Sequence, residues 1–171
     1  RNKFKESFIL TQTILQSHFS FSLRQINHFY LKTNFATYNL IDSILNRNLV
    51  SGQQNGLFII YCFFLPLMCA FNQADIDEFN RFIRGKASDD ILDFLANNSQ
   101  FDTYYKDVSS DSKDKKDTST FTREIYNALF NGTERNDRLV ISDMAYIDRL
   151  SIYKDRLIKA YSLLDSNTKL D

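Results

Sequence analysis

Leu57-Phe58-Ile59-Ile60-Tyr61-Cys62-Phe63-Phe64-Leu65-Pro66-Leu67-Met68-Cys69-Ala70-Phe71 is the most apolar run in the chain. As a helix it reaches about 22 Å, short of the roughly 20 residues that span a hydrocarbon core. The run therefore reads as a central core helix that other helices surround, not as a transmembrane helix. Pro66 has no N–H to bond the Cys62 carbonyl, so a bend or split is expected there. Residues 48–56, with two Gly and several amides, read as the loop that leads into it.

The composition agrees with a helical surround. The 171 residues include only four Gly and one Pro, while Phe and Tyr number 16 and 9 and Trp is absent. So few chain breakers favour long helices, and so many aromatic rings must fill much of the interior. The expected fold is all-α, an irregular bundle of about six to seven helices. Formal net charge is zero but unevenly spread. Residues 1–72 carry six Lys or Arg against two acids, and the remainder fifteen against nineteen. Six cations over that length make no basic track, which argues against nucleic acid as a direct ligand. Cys62 and Cys69 lack metal-ligand spacing and cannot reach each other along a helix, so buried thiols in a reducing cytoplasm are expected.

Outward from the core run, Phe4, Phe8, Ile9, Leu10, Ile14 and Leu15 approach a helical period and predict a helix ending near His18. Ser22 followed by Gln25 three residues on predicts a capping box and a helix beginning at Leu23. Ile26, Tyr30, Thr33, Thr37, Leu40 and Ile44 form one stripe along it, with Arg24, His28 and Leu31 on another face. Asp75 to Arg84 and Ser88 to Leu95 predict two short helices joined by a turn at Gly85, with Lys86 solvated in that turn. Residues 109–119 have no apolar side chain and cannot offset their ordering entropy. Thr120 or Thr122 is expected to cap a helix to Phe130, and residues 143–164 to form a last long helix. The organisation expected is a helical core over 1–100, a polar loop or linker over 101–120, and a C-terminal helical hairpin over 121–171.

Arg24 is the position that points to chemistry. A cation in the first turn of a helix opposes the helix dipole, whereas an anion there is favoured by unpaired amides. A phosphate meeting both the guanidinium and the amides would resolve the conflict. Ser22-Leu23-Arg24-x-Ile26-x-x-Phe29 at the head of a long amphipathic helix resembles the C-terminal helical part of the KAP family of P-loop NTPases. The resemblance continues through residues 57–71, Phe79-x-x-Phe82-Ile83-x-Gly85-Lys86 and Ile91-Leu92-x-x-Leu95, covering about residues 18–96. It implies a lid arginine at Arg24, with His28 one turn on, approaching the phosphates of ATP. It also implies ATP and Mg held elsewhere, because no Gly-x-x-x-x-Gly-Lys-Ser/Thr loop occurs in the chain.

The partner so implied is the N-terminal NTPase core of the same polypeptide, joined by a protein partner or a second copy. Opening at Arg1 without Met, the chain is expected to be a piece of something longer, with the chemistry upstream. The resemblance further implies a cytoplasmic protein, membrane-associated in some parents, that acts in phage defence or membrane-linked signalling. No Ser/His/Asp or Cys/His grouping supports catalysis by this chain alone. The alternative from another class is a non-enzymatic helical interaction domain. A HEPN-like RNase using Arg24 and His28 is a further one, although that family usually has four to six residues between Arg and His and this chain has three.

Overall fold

The computed structural model describes residues 2–42, 51–113, 115–132, 139–142, 146–147, 154–155 and 157–159. It is an all-α bundle. The helices are α1 (Asn2–His18), α2 (Leu23–Asp42), α3 (Ser51–Ile59), α4 (Leu65–Ala74), α5 (Ile76–Ile83), α6 (Asp89–Ala96), α7 (Ser99–Val108) and α8 (Thr118–Asn131). A π-helical turn, Ile60–Phe64, joins α3 to α4. One small antiparallel ladder, β1 (Leu139–Val140) with β2 (Tyr146–Ile147), pairs Leu139 with Ile147.

The central helix is where the apolar run predicts it, but it is longer. Residues 51–56 are helical, not a loop, and a continuous helical span covers Asn55–Ala74. Those 20 residues are long and apolar enough to cross a membrane, so length alone no longer argues against it. Burial does, since most of that span is enclosed by the protein. Two glycines did not break the helix because its packing outweighs their propensity cost of about 1 kcal/mol each. The Asn55 amide also donates to the Tyr146 carbonyl at 3.2 Å, which ties this end to β2. Pro66 acts as expected in a different form: the Leu65 N–H bonds the Ile60 carbonyl, five residues back, just before the proline. One widened turn absorbs the missing donor without ending the helix.

Two left-handed residues close helices. Ser20 has φ 49°, with the Ser20 N–H on the Ser17 carbonyl and the Phe21 N–H on Gln16. Gly85 has φ 75°, with the Gly85 N–H on Phe82 and the Lys86 N–H on Arg81. Both are Schellman ends. At Gly85 a Cβ would overlap the Asn131 side chain, whose amide donates to the Gly85 carbonyl at 3.2 Å. Gly85→Ala is expected to cost about 1–2 kcal/mol for the backbone alone, and more for the clash. Urea unfolding should show that adding Asn131→Gly recovers the steric part only; a neutral Gly85→Ala would contradict this turn.

Of the residues grouped in sequence as a polar linker, 101–108 belong to α7. Phe101, Tyr104 and Tyr105 are buried there, and Asn98 caps the helix by accepting from the Gln100 and Phe101 amides. The loop proper follows, pinned where Tyr105 donates to the Lys116 carbonyl and Lys116 pairs with Glu124. Asp117, not Thr120 or Thr122, caps α8 by accepting from the Thr120 amide at 2.8 Å. The C-terminal part is not a simple helical hairpin. Tyr146–Ile147 is a strand inside the expected last helix, whereas 154–155 and 157–159 are helical with Leu157 buried. The continuation of the α2 stripe to Ile44 and the end of the last helix lie outside the described residues. In α1 the buried face is Ser7, Phe8, Thr11, Gln12 and Leu15, which leaves Ile9 and Leu10 exposed.

Candidate functional site

The entrance to α2 is built as its sequence predicts. The Ser22 N–H donates to Gln25 Oε1 at 2.9 Å, and the Gln25 N–H donates to Ser22 Oγ at 3.4 Å. The Ile26 N–H on the Ser22 carbonyl completes the first turn. Phe21, one residue before the cap, is buried and packs its ring 5.6 Å from Phe29, one turn beyond Ile26. This aromatic staple fixes the direction in which the chain enters α2.

The helix then divides into two faces. Phe29, Thr33, Ala36 and Thr37 are buried, with Ile26 and Tyr30 half-buried beside them, and this face packs on α4. The Thr33 hydroxyl returns to the Phe29 carbonyl at 2.6 Å, and Lys32 crosses to Asn72 at 3.2 Å. On the opposite face Arg24 and His28 are both exposed, one helical turn apart. Neither has a hydrogen bond or ion pair among the described residues. Among the described residues no carboxylate neutralises this first-turn cation, which opposes its own helix dipole.

The same face continues with large apolar side chains that sequence reasoning had not read as surface. Leu31 is 70% exposed, Phe35 40% and Tyr38 69%. Their four-and-three spacing from His28 was legible, but their exposure was not, because only tertiary packing selects which apolar face of a helix is covered.

The remaining candidates resolve as structure. Lys86 is exposed in the Gly85 turn. Cys62 and Cys69 are fully buried, and desolvation pushes both thiols up, Cys69 to about 12 despite the nearby Thr33 and Lys32. No cluster of His, Cys, Asp and Glu able to hold a metal occurs among the described residues. Asp89 caps no amide in the first turn of α6. It joins Asp93 in holding Arg123 of α8, at 3.2 and 2.9 Å, with Ser119 also bonded to Arg123. The pair faces α8 because residues four apart share a helix face; the cation that meets them was not readable from sequence. Solvent reaches this cluster, so it contributes little to stability.

The fold and the site together define a class, an all-α bundle in which one face of α2 presents exposed Arg24, His28, Leu31, Phe35 and Tyr38, with no ion pair to Arg24 or His28 among the described residues. Compared with protein-family models, with curated proteins and with solved structures, the chain matches none.

Proposed function

We propose that this chain is the helical lid and regulatory module of a KAP-like P-loop NTPase, coupling nucleotide state to a partner surface. One observation carries the reading: Arg24 stands exposed, with no ion pair among the described residues, at the N-terminus of a 20-residue capped helix, with His28 on the same face. The capping box leaves the outward amides of the first turn available beside the guanidinium. Together they form an anion-facing end whose own dipole favours negative charge.

The chain's residues do not fit a complete nucleotide site, since no phosphate-cradling loop is present and no acidic cluster for Mg occurs among the described residues. ATP and Mg belong to the NTPase core of the parent, where they supply the terminal phosphate. Arg24 binds that phosphate and loses its partner when the phosphate is gone, so its affinity differs between the two states. That difference biases α2, and the bundle packed on it, between two orientations.

Arg24→Ala in the parent protein is expected to lower ATP turnover by about tenfold or more, a loss of roughly 1.4 kcal/mol or more of transition-state stabilisation. Far-UV circular dichroism should be unchanged, because the side chain is exposed. Arg24→Lys keeps the charge but not the bidentate fork, and should recover only part of the rate. Unchanged turnover in Arg24→Ala would remove the lid assignment. The exposure of Leu31, Phe35 and Tyr38 favours a second reading, a non-enzymatic interaction domain. In that case Arg24→Ala leaves turnover intact, while Phe35→Lys abolishes partner binding.

A further inference from the structure

Asn is followed by Gly twice in the chain, at Asn55-Gly56 and at Asn131-Gly132. Such a pair can rearrange without an enzyme, because glycine has no Cβ to keep its backbone nitrogen away from the asparagine side-chain carbonyl. The fold treats the two pairs differently. Gly56 is buried inside α3, where the helical ladder fixes the backbone, and the Asn55 amide is held on the Tyr146 carbonyl. Asn131 is instead the last residue of α8, and Gly132 lies beyond it in an extended conformation with φ −65° and ψ 147°. Both are exposed. The Gly132 N–H has no acceptor among the described residues, so that nitrogen is not tied into the helix it follows.

We propose that Asn131-Gly132 is a self-modification site, where the chain converts a side-chain amide into a carboxylate. The Gly132 nitrogen attacks the Asn131 side-chain carbonyl carbon, and the new C–N bond closes a succinimide ring. The bond from that carbon to Nδ2 breaks, and the amide nitrogen leaves as ammonia with the proton that Gly132 gives up. Water then opens the ring at either carbonyl, which yields aspartate or isoaspartate. Water is the only co-reactant, and no electrons change hands.

The product alters a contact that joins two parts of the bundle. Nδ2 of Asn131 donates to the Gly85 carbonyl at 3.2 Å and to Asn127 Oδ1 at 3.3 Å. A carboxylate has no hydrogen to donate, so oxygen would face oxygen at both contacts. The new charge also stands at the C-terminal end of α8, where the helix dipole disfavours an anion. Lys154, which donates to the Phe130 carbonyl at 2.8 Å, offsets only part of that cost. Isoaspartate in addition lengthens the backbone leaving the helix. Modification therefore loosens the Gly85 turn, between α5 and α6, from the end of α8.

The 171-residue chain, held for weeks in mildly alkaline buffer and mapped by peptide mass, should gain aspartate and isoaspartate at position 131 while Asn55 stays intact. In concentrated urea both pairs should convert, because the helix that protects Asn55 is gone. Gly132→Ala should block conversion at position 131 with an unchanged urea midpoint, since alanine adopts this extended backbone freely. Asn131→Asp, made directly, should lower the thermal midpoint by about 2–4 °C. An Asn131 that stays intact in the folded chain while it converts in urea overturns the proposal, and so does an Asn55 that converts equally fast in the folded chain. Conversion undiminished in Gly132→Ala rules out attack by that nitrogen. An Asn131→Asp chain that melts with the unmodified one removes the loosening of the Gly85 turn.

Discussion

Replacing Phe82 with alanine should destabilise the fold by about 3–5 kcal/mol, the largest effect expected of any single core truncation here. Phe82 is fully buried where α5 meets the central helix and α8. Its ring lies 6.0 Å from those of both Phe64 and Phe71, 5.0 Å from Tyr126 and 5.1 Å from Phe130. Removing it takes away the apolar transfer term and leaves a cavity whose walls belong to three separate helices, which cannot all collapse inward. Its carbonyl also accepts from the Tyr126 hydroxyl at 2.6 Å, and the Tyr126 hydroxyl oxygen in turn accepts from the Ala87 amide at 3.0 Å. Truncation loosens the seat of that bond as well. In a domain of this size the thermal midpoint should fall by about 10 °C. Phe82→Leu conserves most of the volume and should cost roughly 1–1.5 kcal/mol. A loss below about 1 kcal/mol for Phe82→Ala would mean that the three helices do not share one core.

Raising the pH from 9 to 11 should remove of order 5 kcal/mol of stability, enough to unfold many domains of this size. Burial pushes the Cys62 thiol up and Cys69 to about 12, and it also raises Tyr104 and brings Tyr126 to about 12. In the unfolded chain these thiols and phenols titrate near 9 and 10. Above pH 9 the unfolded state therefore holds fewer protons than the folded state, and stability falls as pH rises. The stabilisation is complete below the unfolded values and is lost as pH climbs toward the folded ones. Each thiol accounts for about 2 kcal/mol by pH 11 and each phenol for about 1. Urea midpoints at half-unit steps should trace this slope, and the Cys62→Ala/Cys69→Ala variant should flatten it by about two thirds. A midpoint constant between pH 8 and 11 would place these groups in solvent.

Local signals in the sequence were reliable where the physics is local. The Ser22–Gln25 capping box, the left-handed Gly85, the acidic start of α5 and the buried stripe of α2 each depend on residues within a few positions of one another. Their hydrogen bonds and facing directions were therefore legible in advance. The helix at 51–56 and the helical 101–108 were not, because glycine and polar propensities there are outweighed by burial against distant segments. The strand at Tyr146–Ile147 likewise exists only because Leu139–Val140 lies alongside to pair with it.

For this protein, composition and periodicity alone determined an all-α bundle built around one apolar run, since few chain breakers and a 3.6-residue pattern leave little else that can bury 25 aromatic rings. They also placed Arg24 and His28 on one face, because residues four apart on a helix are neighbours. Only the tertiary structure decided that this face is exposed among the described residues, that Asp89 and Asp93 hold Arg123, and that most of the apolar helix is enclosed by protein. Each of these depends on which helix meets which, and that is settled by the summed burial of surfaces far apart in the chain.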